Sequence, residues 1–329
     1  MVTPRDESTL VAVSYHDTVN VLQAVDAPAS GPFDRPEWFE LLVQAGQTPL
    51  IAQAGDVTLM LSQAGRRIEP LRNWYAFTWR PQGKNAVLLA SVARTLRARA
   101  HRVTLWPVPE EDGSVARLET AFRTAGWNVS VEPCDHNHVL PVGGRSFAEY
   151  WAGRPGQMRT TLKRKAKKVE VEILERFDPD AWGEYEAIYA TSWKPGEGDP
   201  DLLRTFAMAE GEAGRIRLGL ARTEGQAVAA QFWTVENGIA YIHKLAHCQS
   251  AKALSAGTTL SAALFERVID IDKVNLVDFG TGDDAYKCDW MEVDRPRYRI
   301  DCLDPHQPLA WPTLAMRGLR ALARRPTGR

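Results

Sequence analysis

The stretch "DFGTGDDAYKCDW", residues 278 to 290, follows the apolar run "VNLV" and gathers two glycines, two adjacent acids, a tyrosine, a lysine and a tryptophan where a strand should end. Irregular backbone held at the mouth of a sheet is a common seat of chemistry. These residue types suit attack of an amine on a thioester or ester. That reaction needs a base for the amine proton, a positive group for the oxyanion and an acid for the leaving group. Lys287 offers a cation for the oxyanion or for donor phosphate, Tyr286 an acid, and Asp283 or Asp284 a base or an orienting group. A strand-ending turn with Lys287 paired to Asp289 or Glu292 accounts for the same residues without chemistry.

Other candidates lie upstream. In "YIHKLAH", strict strand alternation places His243 and His247 on one face with Tyr241 and Leu245. An imidazole there suits a base near neutral pH, and packed sheet histidines are the plainer alternative. Trp193 and Lys194 are expected to end a helix beside "PGEGD" and to line an acceptor pocket, while Trp290 is expected to pack. The small residues of "SAKALSAGTT" open the helix "LSAALFERVID", so backbone N–H groups at Ser255, Gly257, Thr258 and Thr259 could hold a diphosphate. A helix cap made by the Ser255 side chain explains the same pattern. The run "RPGQMRTTLKRKAKKV", residues 154 to 169, has seven basic residues and no acid, with Met158, Leu162, Ala166 and Val169 at helical spacing. It reads either as a solvated helix face or as a phosphate or RNA anchor built from Lys163, Arg164, Lys165, Lys167 and Lys168. The basic "MRGLRALARRPTGR" at the C-terminus reads as a frayed end.

The elements that must position these residues follow a repeated order. In the first half come a helix "DRPEWFELLVQAG", the strands "PLIAQ", "VTLMLSQ" and "NWYAFTW", the helix "AVLLASVARTLRARA" and the strand "VTLWPV", then a helix near "VARLETAFRTAG" and the strand "WNVSVE". In the second half "RIRLGLAR", "QAVAAQFWTV" and "IAYIHKLAH" are strands joined by hairpin signals at Glu224–Gly225 and Asn237–Gly238, followed by loop, helix and the strand "VNLVDF". Both halves read strand, strand, strand, loop, helix, strand. The expected class is α/β with a mixed sheet, built as two duplicated lobes, 1–145 and 146–329.

At 329 residues, 44% hydrophobic, 25% charged and net charge −1, the chain has the composition of a soluble two-domain protein, and its overall charge points to no partner. "MVTPRDESTL" shows neither a secretory signal nor a spanning segment, so a cytoplasmic location is the expectation. Four cysteines, at 134, 248, 288 and 302, are too few and too scattered for a disulfide framework. Cys134, His136 and His138 alternate along one strand without a fourth ligand, and no metal is expected.

Taken in order, "SFAEYWAGRPGQMRTTLKRKAKKV", the segment from "SWKPGEGD" to "AAQFW", "YIHKLAH", "LSAGTTL" and "DFGTGDDAYKCDWM" resemble the FemAB-like, CelD-like branch of the Gcn5-related N-acetyltransferase (GNAT) superfamily over residues 146 to 302. The resemblance implies tandem GNAT-like lobes, the first degenerate, and transfer of an acyl or aminoacyl group to an amine of a small molecule, peptide or glycan precursor. It also gives Lys287 of the Tyr-Lys pair an oxyanion or donor-binding role. The Q/R-x-x-G-x-G/A signature of ordinary members is absent and "ALSAGT" stands in its place. Acyl-CoA is the expected co-substrate and aminoacyl-tRNA the alternative, with tRNA then a partner through the basic helix. A non-catalytic nucleic-acid or partner-binding module is the third reading.

Overall fold

The computed structural model describes residues 12–24 and 30–323. The N-terminal stretch read for targeting signals and the last six residues of the basic terminus lie outside the described residues. The described residues divide into two compact units: residues 12–24, 33–134 and 296–323 form the first, and residues 30–32 and 135–295 the second.

The first unit begins with β1 (Ser14–His16), α1 (Pro36–Gln44), β2 (Leu50–Ala54), β3 (Val57–Ala64) and β4 (Arg67–Pro70). Glycines at 55 and 65, both at positive φ, close the two hairpins. Next come α2 (Ala86–Arg99), β5 (Arg102–Pro109), α3 (Ser114–Thr124) and β6 (Asn128–Pro141), in which the chain passes from the first unit to the second. Asn85 caps α2 by accepting the Val87 and Leu88 N–H groups, and the helix buries Leu89, Val92 and Leu96 in the unit's core. The third strand is not "NWYAFTW", as its aromatic content suggests, but "RIEP". In the aromatic segment the Asn73 side chain accepts the Tyr75 N–H, and the Trp79 indole donates to the Met60 carbonyl. Local side-chain bonds and ring burial replace a strand ladder there.

The second unit contains α4 (Phe147–Ala152), α5 (Gly156–Lys165), β7 (Glu170–Leu174), α6 (Pro179–Ala190), α7 (Pro200–Glu212), β8 (Ile216–Thr223), β9 (Gln226–Glu236), β10 (Ile239–His247), α8 (Ala256–Glu266), β11 (Leu276–Thr281) and α9 (Lys287–Trp290). The expected hairpins are realised, with Glu224, Gly225, Asn237 and Gly238 all at positive φ as a type I′ turn demands. β12 (Val293–Leu303) then returns to the first unit, and α10 (Trp311–Ala323) follows.

Each unit is a mixed sheet with the same plan. In the first, β1 to β4 are antiparallel neighbours, β4 lies parallel to β5, and β12 pairs antiparallel with β5. In the second, β7 to β10 are antiparallel neighbours, β10 lies parallel to β11, and β6 pairs antiparallel with β11. A helix links each parallel pair, α2 in one unit and α8 in the other. The expected repeat is therefore present in strand pairing, and the strand against the fifth position comes in each unit from outside the repeat.

The far end of α8 is anchored by charge. A short π-helical turn, Arg267–Ile271, extends it to Asp272, whose carboxylate accepts two hydrogen bonds from Arg217 on β8 at 2.8 and 2.9 Å. Both side chains are nearly buried, and Arg217 also donates to the Gly214 and Ile216 carbonyls. Removing one member of a buried pair leaves the other charge uncompensated. Asp272→Ala should therefore lower unfolding stability by about 3–5 kcal/mol, read as a reduced urea midpoint at unchanged slope.

Candidate active site

A cavity of about 550 Å³ lies within the second unit, lined by α5, the end of β10, the start of α8 and the 279–290 segment. It brings together Trp193, His247, Ser255, Gly257, Thr258 and Tyr286 from the sequence candidates. His243, Lys194, Thr259, Asp283, Asp284, Lys287 and the basic group Lys163, Arg164, Lys165, Lys167 and Lys168 are not among its lining residues.

The start of α8 departs from the expected set of residues at both of its ends. Ser255 is the N-cap in the left-handed region, at φ +55°, and its side chain caps nothing. Its hydroxyl instead accepts from Lys165 Nζ at 3.1 Å, and the same ammonium donates to the Ala253 carbonyl at 2.8 Å. The backbone N–H groups of Ala256, Gly257 and Thr258 are first-turn donors without intrahelical acceptors, on residues that line the cavity. Thr259 does not belong with them. Its N–H bonds the Ser255 carbonyl at 3.0 Å and its hydroxyl bonds the same oxygen at 3.3 Å.

The two histidines do not share a face. The register of β10 against β9 shifts between Ile242 and Lys244, a bulge that breaks the alternation at His243. His243 stacks on Phe232 with ring centroids 4.9 Å apart, and its Nε2 meets Thr234 Oγ1 at 2.7 Å. Past the bulge, Leu245 and His247 face the cavity. Trp193 stands against His247 with centroids 4.2 Å apart, although α6 has already ended at Ala190. Burial, reinforced by the charges of Lys252 and Lys194, lowers the His247 pKa below its ordinary 6.5. This imidazole is neutral at pH 7 and can accept a proton.

The motif at 283–287 separates by environment. Asp283 and Asp284 are exposed. Tyr286 packs edge-on against Phe279, centroids 5.7 Å apart, and lines the cavity. Burial and then the Asp284 charge raise its phenol pKa, so it remains a proton donor across the neutral range. Lys287, expected as a cation for the oxyanion or for donor phosphate, does not line the cavity, and its ammonium bonds neither Asp289 nor Glu292. It is buried, with Nζ donating to the Thr281 and Gly282 carbonyls and lying 5.5 Å from the Phe279 ring centroid. Burial lowers its pKa, and Asp284 opposes that. Trp290 both packs, stacked on Phe265 at 4.9 Å, and contributes to the cavity wall.

The basic helix is shorter than its sequence pattern. α5 ends at Lys165, a 3-10 turn covers Ala166–Lys168, and Val169 is extended. Met158 and Leu162 pack on the unit's core, while Gln157 and Thr161, one turn apart, line the cavity. Lys163, Arg164, Lys167 and Lys168 are exposed, with no ion pair to a described residue. Sequence reading did not single out Gln157, Thr161 or Gln231. Gln231 was visible as a polar residue inside the apolar strand "AVAAQFW"; its amide donates to Ser261 Oγ at 2.7 Å and to the Gly257 carbonyl at 3.3 Å, bracing α8 from β9. None of the four cysteines is in a disulfide, and among the described residues no cluster of His, Cys, Asp and Glu could hold a metal.

Residues 156–288, which include the start of α8, His247 and Tyr286, match the family described as the acetyltransferase (GNAT) domain. That stretch is a GNAT domain. The fold is shared with FemX at TM-score 0.62 and 11% identity, over 90% of this chain and 98% of that one. It is also shared with L-PGS from Bacillus licheniformis, at 0.56 and 11% over 88% and 98% of the two chains. A third is the C-terminal domain of a putative lysylphosphatidylglycerol synthetase from Agrobacterium fabrum, at 0.56 and 16% over 84% and 90%. These likenesses are of fold. No curated protein matches the sequence.

Lys287→Ala should destabilise the protein rather than leave it untouched. Two carbonyls lose their buried donor, a loss of about 1–3 kcal/mol, to be measured by urea unfolding of the purified variant.

Proposed function

We propose that the GNAT domain moves an acyl group from acyl-CoA to the amine of a small molecule, peptide or glycan precursor by direct attack. One observation carries the reading: a single cavity is lined by first-turn amide donors, a neutral imidazole and a protonated phenol. Small side chains at Ala256 and Gly257 let the CoA diphosphate approach the α8 N–H groups, where the helix dipole also favours negative charge. The amine nitrogen attacks the thioester carbon and His247 takes its proton. As the tetrahedral intermediate collapses, the C–S bond breaks and the Tyr286 hydroxyl protonates the departing thiolate. Lys287 acts from behind Phe279, holding the 281–282 backbone, and is a positioning residue here.

The test is thiol release from acetyl-CoA with cell-extract amines as acceptors, preceded by calorimetric titration of CoA. The wild-type rate should fall as pH drops through a value below 6.5, because protonation removes the His247 base. No alkaline limb should appear before the raised Tyr286 pKa. His247→Ala should slow transfer by roughly a hundredfold or more and abolish the acid limb. Absence of CoA binding at millimolar concentration would sink the donor assignment.

A second donor, aminoacyl-tRNA, is favoured by the exposed Lys163, Arg164, Lys167 and Lys168. If these contact RNA phosphates, tRNA affinity should fall with salt at a log–log slope of roughly 0.7–0.9 per phosphate contacted. The quadruple Ala variant should flatten that slope. A flat response in the wild type would leave this helix face as solvated surface.

A further inference from the structure

The last helix of the first unit turns its apolar side outward. In α10, Arg317 holds the helix to its own unit by donating to Asp301 Oδ2 at 2.6 Å and to Asn128 Oδ1 at 2.7 Å, and Thr313 and Leu314 are half-buried beside it. Trp311, Ala315, Met316 and Leu319 fall instead within one arc of about 140° around the axis. All four are exposed, Trp311 at 58%, Met316 at 54% and Leu319 at 66%, and Leu309 just before the helix at 61%. The Trp311 indole N–H is satisfied by the Pro305 carbonyl, so its ring is presented flank-on to solvent without a polar debt. An apolar face of this kind on an ordinary surface helix would be turned to the core.

Charge decides what covers it. After Asp304 the sequence contains five arginines, at 317, 320, 324, 325 and 329, and no acid. A second copy on this face would set like-charged helices against each other, and an RNA would leave Trp311, Met316 and Leu319 unburied. With Arg317 already paired to Asp301, an anionic bilayer still satisfies both halves, taking the apolar arc into the headgroup and acyl boundary and the charge of the other four arginines against lipid phosphates. We propose that α10 lies in the surface of an anionic membrane and docks this protein there as a peripheral enzyme. No helix among the described residues is long and apolar enough to cross a membrane, and surface docking needs none.

Flotation of the full chain with vesicles tests it. The protein should float with phosphatidylcholine vesicles containing phosphatidylglycerol and stay in solution with phosphatidylcholine alone. Trp311→Ser with Leu319→Ser, both at exposed positions, should weaken binding by about tenfold or more, as loss of buried apolar surface requires, with an unchanged urea midpoint as the check on folding. Arg320→Glu should weaken it in a salt-dependent way. Three outcomes overturn the proposal: no flotation with either vesicle, flotation unchanged in the double Ser variant, which would assign it to the basic α5, or a wild-type dimer that the double Ser variant converts to a monomer.

Discussion

The candidate site depends on three backbone N–H groups at the start of α8 being left open to the cavity while the loop before them stays fixed. A side-chain cap would occupy those donors, and here there is none. Ser255 instead takes a left-handed conformation that costs on the order of 1 kcal/mol for a residue with a Cβ. Lys165 reaches across from α5 to the Ala253 carbonyl and the Ser255 hydroxyl and holds the turn. One lysine of the basic run is thus committed to structure, and its exposed neighbours are available for partners.

The rest of the second unit serves that geometry. Gln231 braces α8 from β9, and Arg217 with Asp272 fixes its far end, so the helix is gripped at both extremities. The bulge at His243 turns the remainder of β10 so that Leu245 and His247 reach the cavity. Had the alternation run unbroken, His247 would have pointed with His243 toward Phe232. Lys287, buried beneath Phe279, stabilises the irregular backbone from which Tyr286 is presented.

Duplication explains the economy of the design. Both units use four antiparallel strands, a helix and a parallel fifth strand, yet α2 starts on an Asn85 side chain that consumes the N–H groups α8 leaves open. The same element is a side-chain-capped helix in one unit and borders the candidate site in the other.

What the sequence determined by itself was whatever local periodicity and turn chemistry specify: the repeated order of strands and helix, the type I′ hairpins, the small residues that open α8, and Tyr286 beside a strand end. Those signals are short-range, since Gly at positive φ, alternation and helical spacing act within a few residues. "NWYAFTW" failed as a strand because its rings bury without a ladder, a tertiary outcome that β-propensity does not carry. The faces of His243 and His247 turned on a single inserted residue, since a one-position slip in a strand sends the following side chains to the other side. The burial of Lys287, the pin made by Lys165, and the pairing of β12 with β5 and of β6 with β11 were decided only by the fold. Each joins groups far apart in the chain, and a pattern read along the sequence has no term for which distant carbonyl, hydroxyl or strand edge will be within reach.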